Sequence, residues 1–353
     1  MEPLRIGLAG LGTVGSGVAR LLSTQQDVIA ARCGRPVVIT AACVRSPSKV
    51  RNLPVGQIQL VTEPQALLHQ PSVDVVVEVI GGAEGAAREL VESALKAGKP
   101  VITANKALLA KHGLALARLA EGHRSVLFWE AAVAGGLPII KLIREGLAAN
   151  RILRIDAILN GTCNYVLTAM AQQGLELTGA LAEAQAHGYA EADPAADLDG
   201  VDTAQKLALL AALAFGVPPD VLTIPTTGIR AIARTDIQAA AAQGQVIKLL
   251  ARARRTEDGL DLRVQPCRVP LSSALGQTHG VNNAVLIQAD CAGPVFCRGA
   301  GAGAEPTASA VIADIIDFAR GNRPATFGVP WAALRSPPLL PVPDDRLPLV
   351  NDV

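Results

Sequence analysis

The chain has 353 residues, of which 50% are hydrophobic and 18% are charged, so there is enough apolar material for about two buried cores. Its 32 Lys and Arg residues balance 31 Asp and Glu residues, and the formal net charge is +1. This balance argues against a nucleic-acid partner and against disorder. No apolar run reaches the roughly 20 residues of a bilayer span, and the N-terminus lacks a secretory pattern. We therefore expect a cytoplasmic protein without a membrane partner.

The first 130 residues alternate short apolar runs with helical spacing. Helices are predicted between the strands, at 14–22, 86–97 and 106–120. The predicted strands span 4–9, 36–44, 73–79, 101–103 and 125–129. This alternation is typical of right-handed βαβ units and predicts an α/β fold with a doubly wound parallel sheet.

The pattern changes near residue 135. Further strands and polar turns are expected over 235–280, and a strand over 151–159. The predicted helices span 139–147, 164–173, 179–187, 201–215 and 308–320. This mixture predicts a second, α+β domain.

A glycine motif joins the first predicted strand to the first helix. It reads Gly10-Leu11-Gly12-Thr13-Val14-Gly15 and matches GxGxxG. Gly10 permits the tight turn, Gly12 lets the backbone approach a pyrophosphate, and Gly15 allows close packing of helix and strand. The motif alone is common, and a turn without a ligand is the alternative, but its strand-to-helix position favours a dinucleotide site in a Rossmann-type domain.

The end of the second strand indicates which dinucleotide binds. NAD-specific sites place an acid there to bind the ribose hydroxyls, and this chain has none. Arg45 and Lys49 could instead pair with a 2′-phosphate, and Ser46 could donate a hydrogen bond to it. NADP is therefore favoured over NAD, unless both cations are ordinary solvated loop residues.

Two lysines lie at positions where a lysine could take part in catalysis. Asp202 and Lys206 are four residues apart on the helix 201–215, so they share one face. The apolar residues around Lys206 leave it little water, and a partly buried lysine can transfer protons. The alternative is an ordinary exposed helix pair.

The second lysine follows the strand 101–103. Thr103, Asn105 and Lys106 stand at its carboxyl end, the edge where open α/β sheets bind ligands. A cation is poorly suited to a helix N-terminus, which raises the case for a functional Lys106. The alternative is that Asn105 caps the helix and Lys106 is a surface residue.

Weaker signals lie elsewhere. Five carboxylates within 191–202 could bind a hard cation, although their spacing does not fit an EF-hand. The loop 130–138 combines Glu130 with several carbonyls that could hold Na⁺ or Ca²⁺. Gly303 ends a glycine-rich turn where the backbone can approach a cofactor, and a plain loop is the alternative.

The six cysteines form no zinc-binding pattern and are expected to be reduced. A disulfide between Cys291 and Cys297 stays open as the alternative.

Taken in order, these segments resemble homoserine dehydrogenases over roughly residues 1–328. The specific part is 188–207, which reads GYAEADPAADLDGVDTAQKL. The other matching segments are the glycine motif, 103–110, 130–140, 160–167, 280–284 and 299–311.

The resemblance implies the interconversion of L-homoserine and L-aspartate 4-semialdehyde with a nicotinamide cofactor, a step toward threonine, methionine and isoleucine. It implies that Lys206 is the proton donor and acceptor beside Asp202, and that Lys106 lies between cofactor and substrate. It also implies a homodimer formed through the second domain's sheet. The implied substrate-binding residues are Gly188, Tyr189, Glu191, Asp197 and Thr162. The implied ligands of a cation, usually Na⁺, are Glu130, Val133, Gly135 and Leu137.

The domain organisation follows from the pattern and the resemblance together. We predict an NADP-binding Rossmann domain at 1–134, completed by about 305–328, and a substrate-binding and dimerisation domain at 135–304. A Pro-rich tail, 329–353, is expected to run over the surface. Many members of the family carry a C-terminal regulatory extension that senses threonine. We expect neither that domain nor a preceding kinase domain here.

Two rival functions remain open from the sequence. One is a semialdehyde dehydrogenase that uses Cys163 as its nucleophile, although no histidine partner is evident. The other is an NADPH-binding redox sensor without enzymatic activity.

Overall fold

The computed structural model describes residues 2–48, 58–336, 338–340 and 346–351. The chain divides into two compact units, each described by itself below. The first comprises Met1–Arg144 and Ala302–Arg335, and the second comprises Glu145–Gly301 and Ser336–Val353. The sequence-based boundaries were 134/135 and about 304/305, and the predicted tail is divided between the two units.

The first unit is built on a six-stranded parallel sheet with the order β3-β2-β1-β4-β5-β6. The strand order reverses between β1 and β4, and such a switch point is where open α/β sheets bind ligands. The strands are β1 Leu4–Ala9, β2 Val37–Cys43, β3 Gln59–Val61, β4 Val75–Glu78, β5 Val101–Thr103 and β6 Leu127–Phe128. The fold class predicted from the sequence is confirmed.

Helices pack on this sheet and bury its valine-rich strands; all four residues of β4 are buried, as expected for a parallel sheet covered on both faces. A Cβ at Gly17 would lie 2.6 Å from the Ala304 carbonyl oxygen, so the first and last helices meet closely there. The helices are α1 Thr13–Thr24, α2 Gln26–Cys33, α3 Ala86–Lys96, α4 Lys106–Gly122, α5 Ile139–Lys141 and, late in the chain, α11 Ala304–Ala319.

The second unit has a five-stranded antiparallel sheet with the order β11-β10-β7-β8-β9. Its strands are β7 Ile152–Ile158, β8 Gln245–Arg255, β9 Leu260–Pro270, β10 Asn282–Ala289 and β11 Gly293–Ala300. Its helices are α6 Gly161–Gln173, α7 Leu177–Ala186, α8 Ala195–Leu198, α9 Val201–Phe215 and α10 Arg234–Ala241. The predicted α+β character is confirmed.

Short segments cover the outer edge of β9. Leu339 and Leu349 each form an isolated bridge to this strand, and Thr226 forms a third. The described part of the Pro-rich tail therefore satisfies backbone groups that an open edge strand would expose.

Some local expectations were wrong. The helix expected at 139–147 is the three-residue α5 followed by a π-helical turn, Leu142–Gly146. Strands and polar turns were expected over 235–280, and the segment also includes most of the unpredicted helix α10. The Asp236 side chain accepts a hydrogen bond from the backbone N–H of Ala233 and so stabilises the start of that helix.

All six cysteines are free, including the exposed Cys291 and the half-buried Cys297. Within the described ranges, no helix is both long enough and apolar enough to cross a membrane.

Candidate active site

The glycine motif of the first unit forms a tight turn at the start of α1. Gly10 has a φ of +106°, and a Cβ there would lie 2.9 Å from the Val79 carbonyl oxygen. A Cβ at Gly15 would lie 2.0 Å from the Gly10 oxygen. Gly12 caps α1, and no described side chain caps this helix end. The first-turn N–H groups are thus available to an anion.

The carboxyl end of β2 carries the residues expected to select the cofactor. Val44 is buried, whereas Arg45 and Ser46 are exposed immediately after it. Lys49 lies outside the described residues. No acid occupies this strand end in the sequence, so the feature that favours NAD is missing.

A buried carboxylate that the sequence analysis overlooked organises the ends of β4 and β5. Glu78 is fully buried, and its Oε1 accepts hydrogen bonds from the N–H groups of Ile80 (2.7 Å) and Gly81 (3.1 Å). Its Oε2 accepts a 2.6 Å hydrogen bond from the Thr103 hydroxyl. Glu78 therefore joins the ends of β4 and β5, next to the switch point of the sheet.

The Thr103 side chain continues this network to the start of α4. Thr103 Oγ1 accepts from the Asn105 N–H at 3.0 Å. The Asn105 side chain donates to the Gly82 carbonyl at 2.7 Å and accepts from the Leu108 N–H at 3.1 Å. Both side chains, expected to bind cofactor, are thus engaged in holding loops. Lys106 is half-buried as the first residue of α4.

Most of the proposed cation loop is buried, although Gly136 and Pro138 are exposed. Ala134 and Gly135 both have a positive φ, 57° and 53°. The Glu130 carboxylate accepts hydrogen bonds at 2.9 Å from the N–H groups of Ile140 and Lys141. Burial raises its pKa, against the effect of those hydrogen bonds.

This loop offers oxygen donors in close succession. Val133, Gly135 and Leu137 are all buried and supply backbone carbonyls. No cluster of three or more His, Cys, Asp or Glu residues suited to a metal occurs in the described ranges. A cation here would depend on carbonyl oxygens and the Glu130 region, the donor chemistry that hard cations prefer.

Gly303 is the N-cap of α11, with a φ of +123° that favours glycine. Its local environment in the first unit is a sharp turn into that helix, beside the close approach of Gly17 and Ala304.

The second unit places Lys206 and Asp202 in contact on α9. Lys206 Nζ lies 2.8 Å from Asp202 Oδ2 and 2.6 Å from the carbonyl oxygen of Leu159, at the end of β7. The Lys206 and Asp202 side chains are only 12% and 10% exposed. The pair is thus held from two elements and is not an ordinary exposed helix pair.

Asn160 connects this ion pair to a second carboxylate. Its Nδ2 donates to Asp202 Oδ2 at 2.9 Å and to Asp197 Oδ1 at 2.7 Å. Its Oδ1 accepts from the Cys163 N–H at 2.8 Å and caps α6. The link from Asn160 to the two aspartates joins residues 37 and 42 positions apart and has no local signal in the sequence.

The remaining expected substrate residues lie on the loop after α7. Gly188 has a φ of +74°, and Tyr189 and Glu191 are exposed. The Thr162 hydroxyl donates to the Tyr189 carbonyl at 2.8 Å, which ties the loop to the first turn of α6. The Tyr189 ring lies beside Tyr165, at 5.0 Å between ring centroids.

Cys163 does not have the environment of a nucleophile. It is fully buried, and its thiol donates to the Asp197 carbonyl at 3.1 Å. Burial raises its pKa well above the usual range, and the charges of Asp197 and Asp202 raise it further. A thiolate, the reactive form, is disfavoured here.

Comparison with known proteins decides the family. The family model described as homoserine dehydrogenase matches residues 138–316, and the one described as homoserine dehydrogenase, NAD binding domain, matches 10–130. The homoserine dehydrogenase of Neisseria gonorrhoeae is 47% identical over 320 residues, which are 91% of this chain and 73% of that protein. The chain belongs to the homoserine dehydrogenase family.

Further relatives support this membership. The homoserine dehydrogenase of Pseudomonas aeruginosa is 42% identical over 97% of this chain and 80% of its own length. The crystal structure of a homoserine dehydrogenase from Thiobacillus denitrificans superposes with a TM-score of 0.92 at 44% identity, covering 96% of this chain and 80% of that one. A hyperthermophilic archaeal homoserine dehydrogenase in complex with NADPH gives 0.75 at 28% identity, covering 95% and 100%.

The predicted activity is therefore confirmed. This homoserine dehydrogenase is an oxidoreductase that acts on a CH–OH group, has a small-molecule substrate and binds a nicotinamide cofactor. The rival semialdehyde dehydrogenase and the rival redox sensor were wrong.

The buried state of Cys163 generates a prediction. Cys163→Ala should keep kcat within about threefold of the wild type, because the thiol is protonated and donates only to a carbonyl. The measurement is steady-state oxidation of homoserine. Loss of more than about 100-fold in a folded variant would contradict a passive Cys163.

Proposed function

We propose that this homoserine dehydrogenase moves the proton of its reaction through Lys206. The observation that carries the proposal is the contact pattern of the Lys206 ammonium. It has three N–H donors, and the described contacts use two acceptors, the Leu159 carbonyl and Asp202. A third N–H is left for the oxygen of the substrate.

The chemistry suits an ammonium at this position. When bound, the nicotinamide cofactor supplies or accepts the hydride. In the reducing direction negative charge develops on the aldehyde oxygen, and Lys206 stabilises that charge and donates the proton. In the oxidising direction the neutral amine accepts the hydroxyl proton. Asp202 holds the amine in place, and Asn160 orients Asp202.

The substrate's amino end is assigned to the loop after α7. We propose that Glu191, with Gly188 and Tyr189, holds this ammonium group, and that Thr162 and Asp197 line the same pocket. The exposed Glu191 and the Thr162–Tyr189 hydrogen bond, which fixes the loop, support this assignment. An exposed carboxylate is a suitable partner for an ammonium ion.

The cofactor is assigned to the first unit, and NADP is preferred over NAD. Gly10, Gly12 and Gly15 shape the turn, and the N–H groups near Thr13 and Val14 bind the pyrophosphate. Arg45 and Ser46, with Lys49, bind the 2′-phosphate. Lys106 places a positive charge at the carboxyl end of β5, where it acts on cofactor and substrate. Thr103 and Asn105 contribute by holding the loop, and Gly303 by leaving room for the cofactor.

A monovalent cation, Na⁺, is assigned to the turn of Glu130, Val133, Gly135 and Leu137. The buried carbonyls of this turn support the proposal.

We also propose a homodimer through the sheet of the second unit, where Leu153 and Phe296 have partly exposed apolar side chains. A role in threonine, methionine and isoleucine biosynthesis is proposed as well.

Lys206→Ala tests the central role. We expect kcat to fall at least 100-fold, because the variant loses the group that stabilises and protonates the oxygen, while the Kd for NADPH stays within twofold. The measurement combines steady-state kinetics with NADPH fluorescence titration. Lys111→Ala, at an exposed lysine, is the matched control and should keep full turnover. Near-normal turnover of Lys206→Ala would remove Lys206 from this role.

Arg45→Ala tests the cofactor preference. Loss of a charge-assisted hydrogen bond to the 2′-phosphate should raise the Kd for NADPH about tenfold. The Kd for NADH, which lacks that phosphate, should stay unchanged and serves as the internal control. An equal effect on both cofactors would contradict the assignment of Arg45.

Exchange of cations tests the proposed Na⁺ site. In NaCl the midpoint of thermal unfolding should be a few degrees higher than in tetramethylammonium chloride of equal ionic strength, because a bound ion stabilises the folded state. Turnover should fall in tetramethylammonium as well. Identical midpoints and rates in the two salts would argue against a bound cation.

A further inference from the structure

Lys248 is a buried lysine that the activity proposed above does not use. It lies in β8, opposite Cys267 of β9, and is 2% exposed. Its Nζ donates to Asn164 Oδ1 at 2.9 Å and to the Thr278 carbonyl at 2.5 Å. Both acceptors are uncharged.

The environment of Lys248 makes its charged form energetically unfavourable. In the part of the chain that the structure describes, no ion pair joins Lys248 to a carboxylate. Burial lowers its pKa to about 7. An apolar residue in its place would avoid the cost of burying a charge, but it would leave Asn164 Oδ1 without this donor.

Asn164 is the centre of a polar cluster between α6 and the turn before β10. Its Nδ2 donates to the carbonyl oxygens of Gly280 at 2.9 Å, and of Thr278 and Asn282 at 3.2 Å. With its Oδ1 on Lys248, the Asn164 side chain thus joins α6 to β8 and to that turn.

The same helix begins at a residue that contacts Asp202, the partner of the proposed proton donor. Asn160, the N-cap of α6, lies four residues before Asn164 and donates to Asp202 and Asp197. Residues four apart in a helix lie on one face. A shift of α6 by even part of a turn would therefore move the Asn160 amide away from Asp202.

We propose that Lys248 is a positioning residue, which holds α6 through Asn164 and so sets the geometry of Asn160, Asp202 and Lys206. It touches neither of the latter two in the described contacts and acts only through the helix. The inference rests on the proposed role of Lys206.

A double-mutant cycle between Lys248 and Asn160 tests the inference. Lys248→Met should lower kcat about tenfold without changing the Kd for NADPH, and Asn160→Ala should lower kcat at least as much. The double variant should be no slower than Asn160→Ala, because both changes break one chain of contacts. Multiplying losses would overturn the inference, as would full turnover of Lys248→Met.

The controls separate positioning from general damage. Lys96→Met makes the same change at an exposed lysine of the first unit and should keep full turnover. Lys248→Gln retains an N–H donor and should recover part of the lost kcat; if Lys248→Met does not fold, the cycle is run with this variant. The Lys206→Ala variant is measured in parallel. If Lys206→Ala loses turnover but the losses in the cycle multiply, only this inference is wrong. If Lys206→Ala keeps turnover, both the proposed function and this inference are wrong.

Discussion

The Lys206 amine is held by a carboxylate and a backbone carbonyl that come from different elements. Asp202 lies one turn earlier on α9, and Leu159 directly follows the central strand β7. An exposed Asp–Lys pair at this spacing contributes only a few tenths of a kcal/mol. Here the pair is largely removed from water, so its position depends on the additional hydrogen bonds. Asn160 supplies one to Asp202, which links the ion pair to the start of α6. The position of the Lys206 amine therefore depends on where α6 begins.

In the first unit, a buried carboxylate likewise connects segments at the ends of the strands. Glu78 fixes the loop after β4 and, through Thr103, the start of α4. Because it makes several hydrogen bonds within the protein, it is suited to hold loops rather than a ligand. The glycine turn before α1, in contrast, is shaped by close backbone approaches and leaves donors open. Rigid loops around an open helix N-terminus provide a site for a dinucleotide without a charged side chain in the turn.

Periodicity was sufficient for many of the helices and strands, but not for the contacts between them. The bounds of β1, β5 and α9 follow directly from their residues, as does the i,i+4 relation of Asp202 and Lys206. The short β3 and the α10 helix lack a clear apolar period and were missed. In the sequence, Glu78 is indistinguishable from the other residues of a valine-rich strand. Lys248 is likewise only a polar residue within a long strand. Their partners are 25 and 84 positions away, and spacing along one element carries no information about such pairs.

A crystal structure with both homoserine and NADPH bound tests the central claim most directly. The distance to measure is that from Lys206 Nζ to the hydroxyl oxygen of homoserine. We expect a hydrogen bond of about 3 Å, with the contacts to Asp202 and the Leu159 carbonyl retained. A separation beyond about 5 Å, with another ionisable group within hydrogen-bond distance of that oxygen, would contradict it.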